Sequence, residues 1–271
     1  MPNVKGPQKR LPEHPSEENL RKQAKQLAKR DDIQLAAAQF QLANEYGFRN
    51  WAELIEAVVG AHRMVPFLPL RGLIAFPHET YPIYIGRVTS IRAIETAAER
   101  KTPILMVAQR DAIVAKPSSA DMYEVGTLAS LSQWIKLGDG TIKAEIVGEC
   151  RARVSRFVFD TDFIQAEYEE ISESAERSPE LAALMQSVVT AFDAYAVHET
   201  RIPLEMAKAI NTAVASIGDP DALADKIAGH LNVSLAEKQA LLEMVDPAQR
   251  LRTVLEHLEG YPMAKVVKGE K

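Results

Sequence analysis

Residues 123–148 read YEVGTLASLSQWIKLGDGTIKAEIVG. Around Asp139 and Gly140 the sequence alternates: Leu131, Gln133, Ile135 and Leu137 precede the pair, and Ile142, Ala144 and Ile146 come after it. Period-two alternation on both sides of an Asp-Gly dipeptide predicts a tight antiparallel hairpin, because glycine tolerates the positive φ that such turns demand. The two runs should place these residues on one shared face.

The same grammar extends outward from Val65 to Ile171. Short β-branched and aromatic runs recur as FLPL at 67, LIAF at 73, YPIYI at 81, ILMVA at 104, ARVSRFVF at 152 and FIQAEYEEI at 163. One helix interrupts them, with Ser90 as its expected cap, Ile91, Ile94, Ala97 and Ala98 on its buried face, and Pro103 as its stop. Many short strands at this spacing predict an antiparallel sheet closed into a small barrel over residues 65–173.

Beyond Ser172 the pattern turns helical. Ser178-Pro179, Asp219-Pro220 and Asp246-Pro247 each set a capping oxygen before a proline whose missing N–H costs nothing in a first turn. Ser234 with Glu237, and Asp246 with Gln249, have the spacing of capping boxes. Helices are expected near 179–197, 203–216, 220–230, 235–244 and 247–258, forming a bundle over 178–259 with a tail at 260–271. An apolar stripe of Leu181, Leu184, Val188 and Phe192 offers one face through which the bundle could pair into a homo-oligomer.

Before the strands lies a three-helix module, 16–62. Ser16 is its first expected cap, Gly47 the stop of its second helix, and Asn50 with Glu53 the start of its third. Tyr46, Phe48 and Trp51 read as its mini-core. Residues 1–15 carry four prolines and form a basic arm; Lys/Arg outnumber Glu eight to three over the first thirty residues.

The 271 residues are 46% hydrophobic and 25% charged with net charge -5, ordinary globular usage. The single cysteine, Cys150, rules out an internal disulfide and fits a reducing compartment. No apolar run reaches the ~20 residues that span a bilayer, and the first residues lack a signal-peptide core, so a cytoplasmic location is expected.

The stretch VPFLPLRGLIAFPHETYPIYIGRVTSIRAIETA, Val65 to Ala97, resembles the opening of the Lon protease amino-terminal domain: an LPLR strand, an x-F-P turn, a P-I-x-x-G-R segment and a helix. ILMVAQRD at 104–111 and the hairpin sequence at 123–148 continue the likeness in order. So does Ile202 to Leu251, with its D-P, L-A-D-x-I-A-x-H and K-Q-x-L-L-E elements. The resemblance covers roughly residues 65–259 and implies an α+β fold: a PUA-like β-barrel of the Lon amino-terminal type followed by a helical bundle, preceded here by the small three-helix module. It implies capture of unfolded or degron-bearing proteins and oligomer contacts. NLRKQAKQLAKR with YGFRNW is similar to a short helical unit found beside ankyrin repeats and in glyoxalase-related bacterial proteins.

A Lon protease also needs a G-x-x-x-x-G-K-S/T phosphate loop, a Walker B strand and a Ser-Lys dyad. No Gly-Lys-Ser/Thr occurs in this sequence, so no catalytic residue is assigned and the chain is read as a non-enzyme. The six histidines show no metal-ligand spacing, and neither a metal nor another cofactor is expected. His230 reads as a cation at a helix C-terminus. Cys150 precedes Arg151 and Arg153, which would lower a thiol pKa.

The expected protein-binding surface comprises Leu70, Arg71, Phe76, Pro77, Tyr81, Tyr84 and Trp134, apolar and aromatic residues near the barrel's turns, although burial in a core is the commoner fate of such residues. Partners in this reading are unfolded or degron-bearing proteins and a Lon-type protease acting in trans. One alternative is a nucleic-acid-binding PUA-like protein, favoured by the basic start and opposed by the acidic body and the lack of an RRM-type stacking motif. Another is the amino-terminal part of a split or truncated Lon protease.

Overall fold

The computed structural model describes residues 9, 17–62, 64–159, 162–172, 178–199 and 202–261. The arm apart from Lys9, Ser16, and the tail from 262 lie outside them. The chain forms two compact units, Met1–Val65 and Pro66–Lys271.

In the first unit, α1 (Glu17–Asp31), α2 (Leu35–Glu45) and α3 (Trp51–His62) pack around Leu20, Ala24, Leu27, Leu42, Leu54 and Val58. Tyr46, Phe48 and Trp51 lie half-buried against this core. Gly47 takes φ 86° after α2, the left-handed geometry that ends helices. The Asn50 side chain accepts from the Glu53 N–H at 2.9 Å, while Glu53 reaches back to the Arg49 N–H at 2.8 Å, one residue earlier than a strict capping box would.

The second unit begins with β1 (Met64–Leu70), β2 (Thr80–Ile85), α4 (Val88–Arg100), β3 (Ile104–Ala108), β4 (Val125–Lys136), β5 (Ile142–Val158) and β6 (Gln165–Glu170). The hydrogen-bonded order is β2-β5-β4-β3-β1-β6, and β5 also pairs with β6. The path β5-β4-β3-β1-β6 therefore returns to β5, and the sheet closes into a barrel. Long β5 makes this possible: residues 142–147 pair with β2 and residues 152–158 with β6 along one edge, while β4 runs along the other. β1 and β3 are parallel, joined through α4, so the barrel is not purely antiparallel.

Three local expectations are corrected. LIAF at 73–76 is not a strand; Ile74, Ala75 and Phe76 are nevertheless buried. The second arm of the hairpin and the run at 152 form one continuous β5. α4 begins after Arg87, whose side chain makes no capping bond, and Ser90 lies inside the helix, 5% exposed.

The helices α5 (Pro179–His198), α6 (Leu204–Ala215), α7 (Pro220–His230), α8 (Leu235–Glu243) and α9 (Pro247–Glu259) match the expected spans, and all but α6 start at the expected caps. Ser178, Asp219, Ser234 and Asp246 all accept first-turn N–H groups. The reciprocal box forms at Ser234 and Glu237; Asp246 accepts from Ala248 instead of completing one with Gln249. Leu181, Val188 and Phe192 are buried in the bundle's own core, which also takes in Ile74, Phe76, Ala108 and Val125 from the barrel side. Leu184 is partly buried against the same core, so the stripe's main packing is inside the molecule.

Candidate functional site

Beyond Ala129, β4 has no partner on the edge that β3 occupies earlier, and β2 pairs only with β5, among the described residues. The ends of β2, β5 and β4 thus form a three-stranded projection with two open edges. Its hairpin turns where the Asp-Gly pair predicted, with Gly140 at φ 85° and the Leu137 N–H donating to the Thr141 carbonyl at 2.8 Å.

The facing of its residues departs from simple alternation. Leu131 opposes Ile146, yet Gln133 opposes Glu145, so one extra residue, Ser132, is accommodated as a bulge. The bulge flips the rest of the strand. Ile135 opposes Lys143, which opposes Tyr84, and this row faces outward, with Ile135 55% and Tyr84 67% exposed. The Lys143 ammonium lies 5.9 Å from the Tyr84 ring centre. Trp134, 38% exposed, opposes Ala144 and lies on the other face.

The seven expected contact residues therefore separate. Leu70, Phe76 and Pro77 are buried and serve the interior. Tyr81 is half-buried, and its hydroxyl accepts the Phe76 N–H at 2.7 Å, pinning the turn; burial pushes the phenol well above its ordinary range. Arg71 and Tyr84 share a cavity of about 190 Å3 with Leu70, Ile83, Arg87 and Ser90. Trp134 lines a different hollow with Pro82, Ile135 and Lys143.

A buried ion cluster, not foreseen from sequence, joins the barrel to the bundle. Arg151 on β5 and Arg250 on α9 are both 0% exposed. Arg151 forms a fork on the Asp225 carboxylate of α7, its Nη1 at 2.8 Å from Oδ2, and its Nε donates to the Leu242 carbonyl at 2.8 Å. Arg250 donates to Asp221, to Asp225 at 3.0 Å, and to the Met244 carbonyl at 3.0 Å. Burial pushes the Asp225 carboxyl above its ordinary range, and the two guanidiniums offset only part of that rise. The Lys226 ammonium meets Glu79 at 2.8 Å, where burial outweighs that partner and raises the carboxyl.

His78 Nε2 lies 3.3 Å from Asp221, and one ligand atom each of His78, Asp221 and Asp225 fall within 4.8 Å of one another. This set suits an ion cluster better than a cation. Both carboxylates already face guanidiniums, and a metal would have to displace two buried positive charges.

Two sequence readings change here. His230 ends α7, but burial, with the Lys226 and Lys238 charges, lowers its pKa to about 4, so it is neutral rather than a dipole-stabilised cation. Its Nε2 is buried without a hydrogen-bond partner among the described residues. Arg151 points away from the Cys150 side of the strand into the cluster, and Arg153 lies 3.7 Å from Glu124.

A family model described as the "ATP-dependent protease La (LON) substrate-binding domain" matches residues 64–260. The chain is similar to a Lon protease of Azospirillum brasilense (38% identity over 197 residues, 73% of this chain), to Lon protease 1 of Myxococcus xanthus (42% over 201 residues, 72%) and to the Lon protease of Escherichia coli K12 (36% over 196 residues, 72%). It spans about 24% of the length of each of these relatives. Among solved structures, the N-terminal domain of a Mycobacterium avium complex Lon protease superposes with a TM-score of 0.58 at 24% identity, over 73% of this chain and 99% of that one. A Lon N-terminal domain protein from Xanthomonas campestris gives 0.52 at 16% identity, over 71% and 97%. No described helix is long and apolar enough to cross a membrane.

Proposed function

Because this chain belongs to the ATP-dependent protease La (LON) substrate-binding domain family, we propose that it is a non-catalytic module that binds extended or partly unfolded polypeptide. The observation that carries the reading is the three-stranded projection. It combines two open strand edges with exposed Tyr84, Ile135 and Trp134. An open edge offers unpaired backbone groups to an incoming strand, and aromatic side chains supply contact area at low entropic cost. Pro82 cannot donate to a ladder, which favours the distal edge of β4 over that of β2.

In this role the chain presents or withholds unfolded and degron-bearing proteins for a Lon-type protease acting in trans. The test is binding of a reduced, carboxymethylated unfolded protein against its native form, with ATP and peptide turnover assayed in parallel. Preferential binding of the unfolded form with no turnover supports the reading. Equal or absent binding, or turnover by the contaminant-free chain, sinks it.

A further inference from the structure

We propose that the cavity at the junction of β1, β2 and α4 seats the C-terminal residue of a polypeptide. The terminal carboxylate would lie on Arg71, Arg87 and the first turn of α4, and the last side chain against the apolar wall. This deepens the polypeptide-binding reading and rests on it.

The cavity measures about 190 Å3, room for one large residue. Its wall is apolar, formed by Leu70, Leu73 and Ile83, while Arg71 and Arg87 bring to it the donors a carboxylate needs. Arg71 and Arg87 are held by one network. Arg87 Nη2 donates to the Gln109 side-chain oxygen at 2.7 Å, Gln109 donates to the Val114 carbonyl at 3.0 Å, and Arg71 Nη2 donates to that same carbonyl at 3.1 Å. Gln109 is fully buried, so the tether is fixed. Each guanidinium keeps further N–H donors beyond these bonds, and neither is paired with a carboxylate among the described residues.

Two further features converge on the same space. α4 has thirteen residues and starts with no side-chain cap, leaving first-turn N–H groups and the positive end of its dipole beside the cavity. Ser90, in that first turn, also lines the cavity. A bare inorganic anion would leave the apolar wall unused, and an internal peptide segment would leave two guanidiniums unanswered. A C-terminal residue with an apolar side chain satisfies both halves.

The full chain is titrated with a fluorescent peptide ending in Leu, as the free acid and as the C-terminal amide. The free acid is expected to bind about tenfold more tightly, the scale of a charge-assisted, bidentate contact. Arg71→Gln on the exposed bend, and separately Arg87→Gln, should erase that preference by bringing the acid peptide down to the affinity of the amide. Replacing the terminal Leu with Ser should weaken the acid peptide. Equal affinity for acid and amide overturns the carboxylate seat and leaves the polypeptide-binding reading in place. Failure of both peptides and of the unfolded protein overturns that reading too. Saturable binding of inorganic phosphate without an acid-over-amide preference reassigns the cavity to a phosphate and likewise overturns the proposal.

Discussion

A guanidinium taken out of water must fill its donors, and Arg151 does so on Asp225 and the Leu242 carbonyl, from a strand to two elements of the bundle. Asp225→Ala would leave Arg151 and Arg250 buried against a single remaining carboxylate. The expected loss is roughly 3–5 kcal/mol, read as a lower denaturant midpoint at unchanged slope. His230 sets a second residue-scale expectation. Its pKa of about 4 in the folded chain lies below the ordinary value of 6.5, so the unfolded chain binds the extra proton first. Stability from this group is complete above pH 6.5 and drains as the pH falls toward 4, at up to about 1.4 kcal/mol per unit. His230→Phe should flatten that slope in urea titrations across the window; an unchanged slope would assign the acid sensitivity elsewhere. Neither role was legible in sequence. Arg151 reads as one more surface cation beside Cys150, because a charged residue's burial depends on which distant carboxylate the fold brings to it.

Elements were legible wherever a local signal fixed both phase and end. The bundle helices carry their own caps, so α5, α7, α8 and α9 begin where Ser178, Asp219, Ser234 and Asp246 predict. Strand boundaries were less so, because they are set by what crosses them. Gly148 reads as a break between two runs, yet β5 passes through it. The 76–79 segment lies on the strand there, with the Gly148 N–H donating to the Glu79 carbonyl at 2.9 Å and the His78 N–H to the Gly148 carbonyl at 3.0 Å. A Cβ at Gly148 would sit 2.5 Å from the Phe76 carbonyl oxygen, and one at Gly126 would collide with the Met106 carbonyl across the β3–β4 ladder. Gly126→Ala and Gly148→Ala should each cost roughly 1–3 kcal/mol or more by overpacking, measurable as a fall in Tm, whereas Gly138→Ala, with open space around it, should be nearly silent. The exposed end of the candidate surface was hidden for a related reason. The bulge at Ser132 turns Ile135 outward and sets Trp134 on the face opposite Tyr84, and no residue type announces a bulge.

At the scale of residues 66–271, barrel and bundle share one core. Ile74, Phe76, Ala108 and Val125 lie in the same apolar cluster as Val188, Phe192, Ile227 and Leu251. The ion cluster and the Gln239 bond to the Val125 carbonyl at 2.9 Å cross the same boundary. If the bundle opened alone, it would strip Phe76 and Val125 of cover and leave Arg151 buried without Asp225, so partial unfolding combines an apolar penalty with an unpaired charge. The two parts should therefore melt together. Trp51→Phe leaves Trp134 as the lone indole, reporting on the barrel, while far-ultraviolet dichroism reports chiefly on the helices. In urea the Trp134 signal and the helical signal beyond the share of α1–α3 should share one midpoint, and Asp225→Ala should move both downward by the same amount. Helical signal lost well before the Trp134 emission shifts, in excess of the share that α1–α3 contribute, would show that the barrel stands without the bundle, and that the buried cluster joins two independently stable parts.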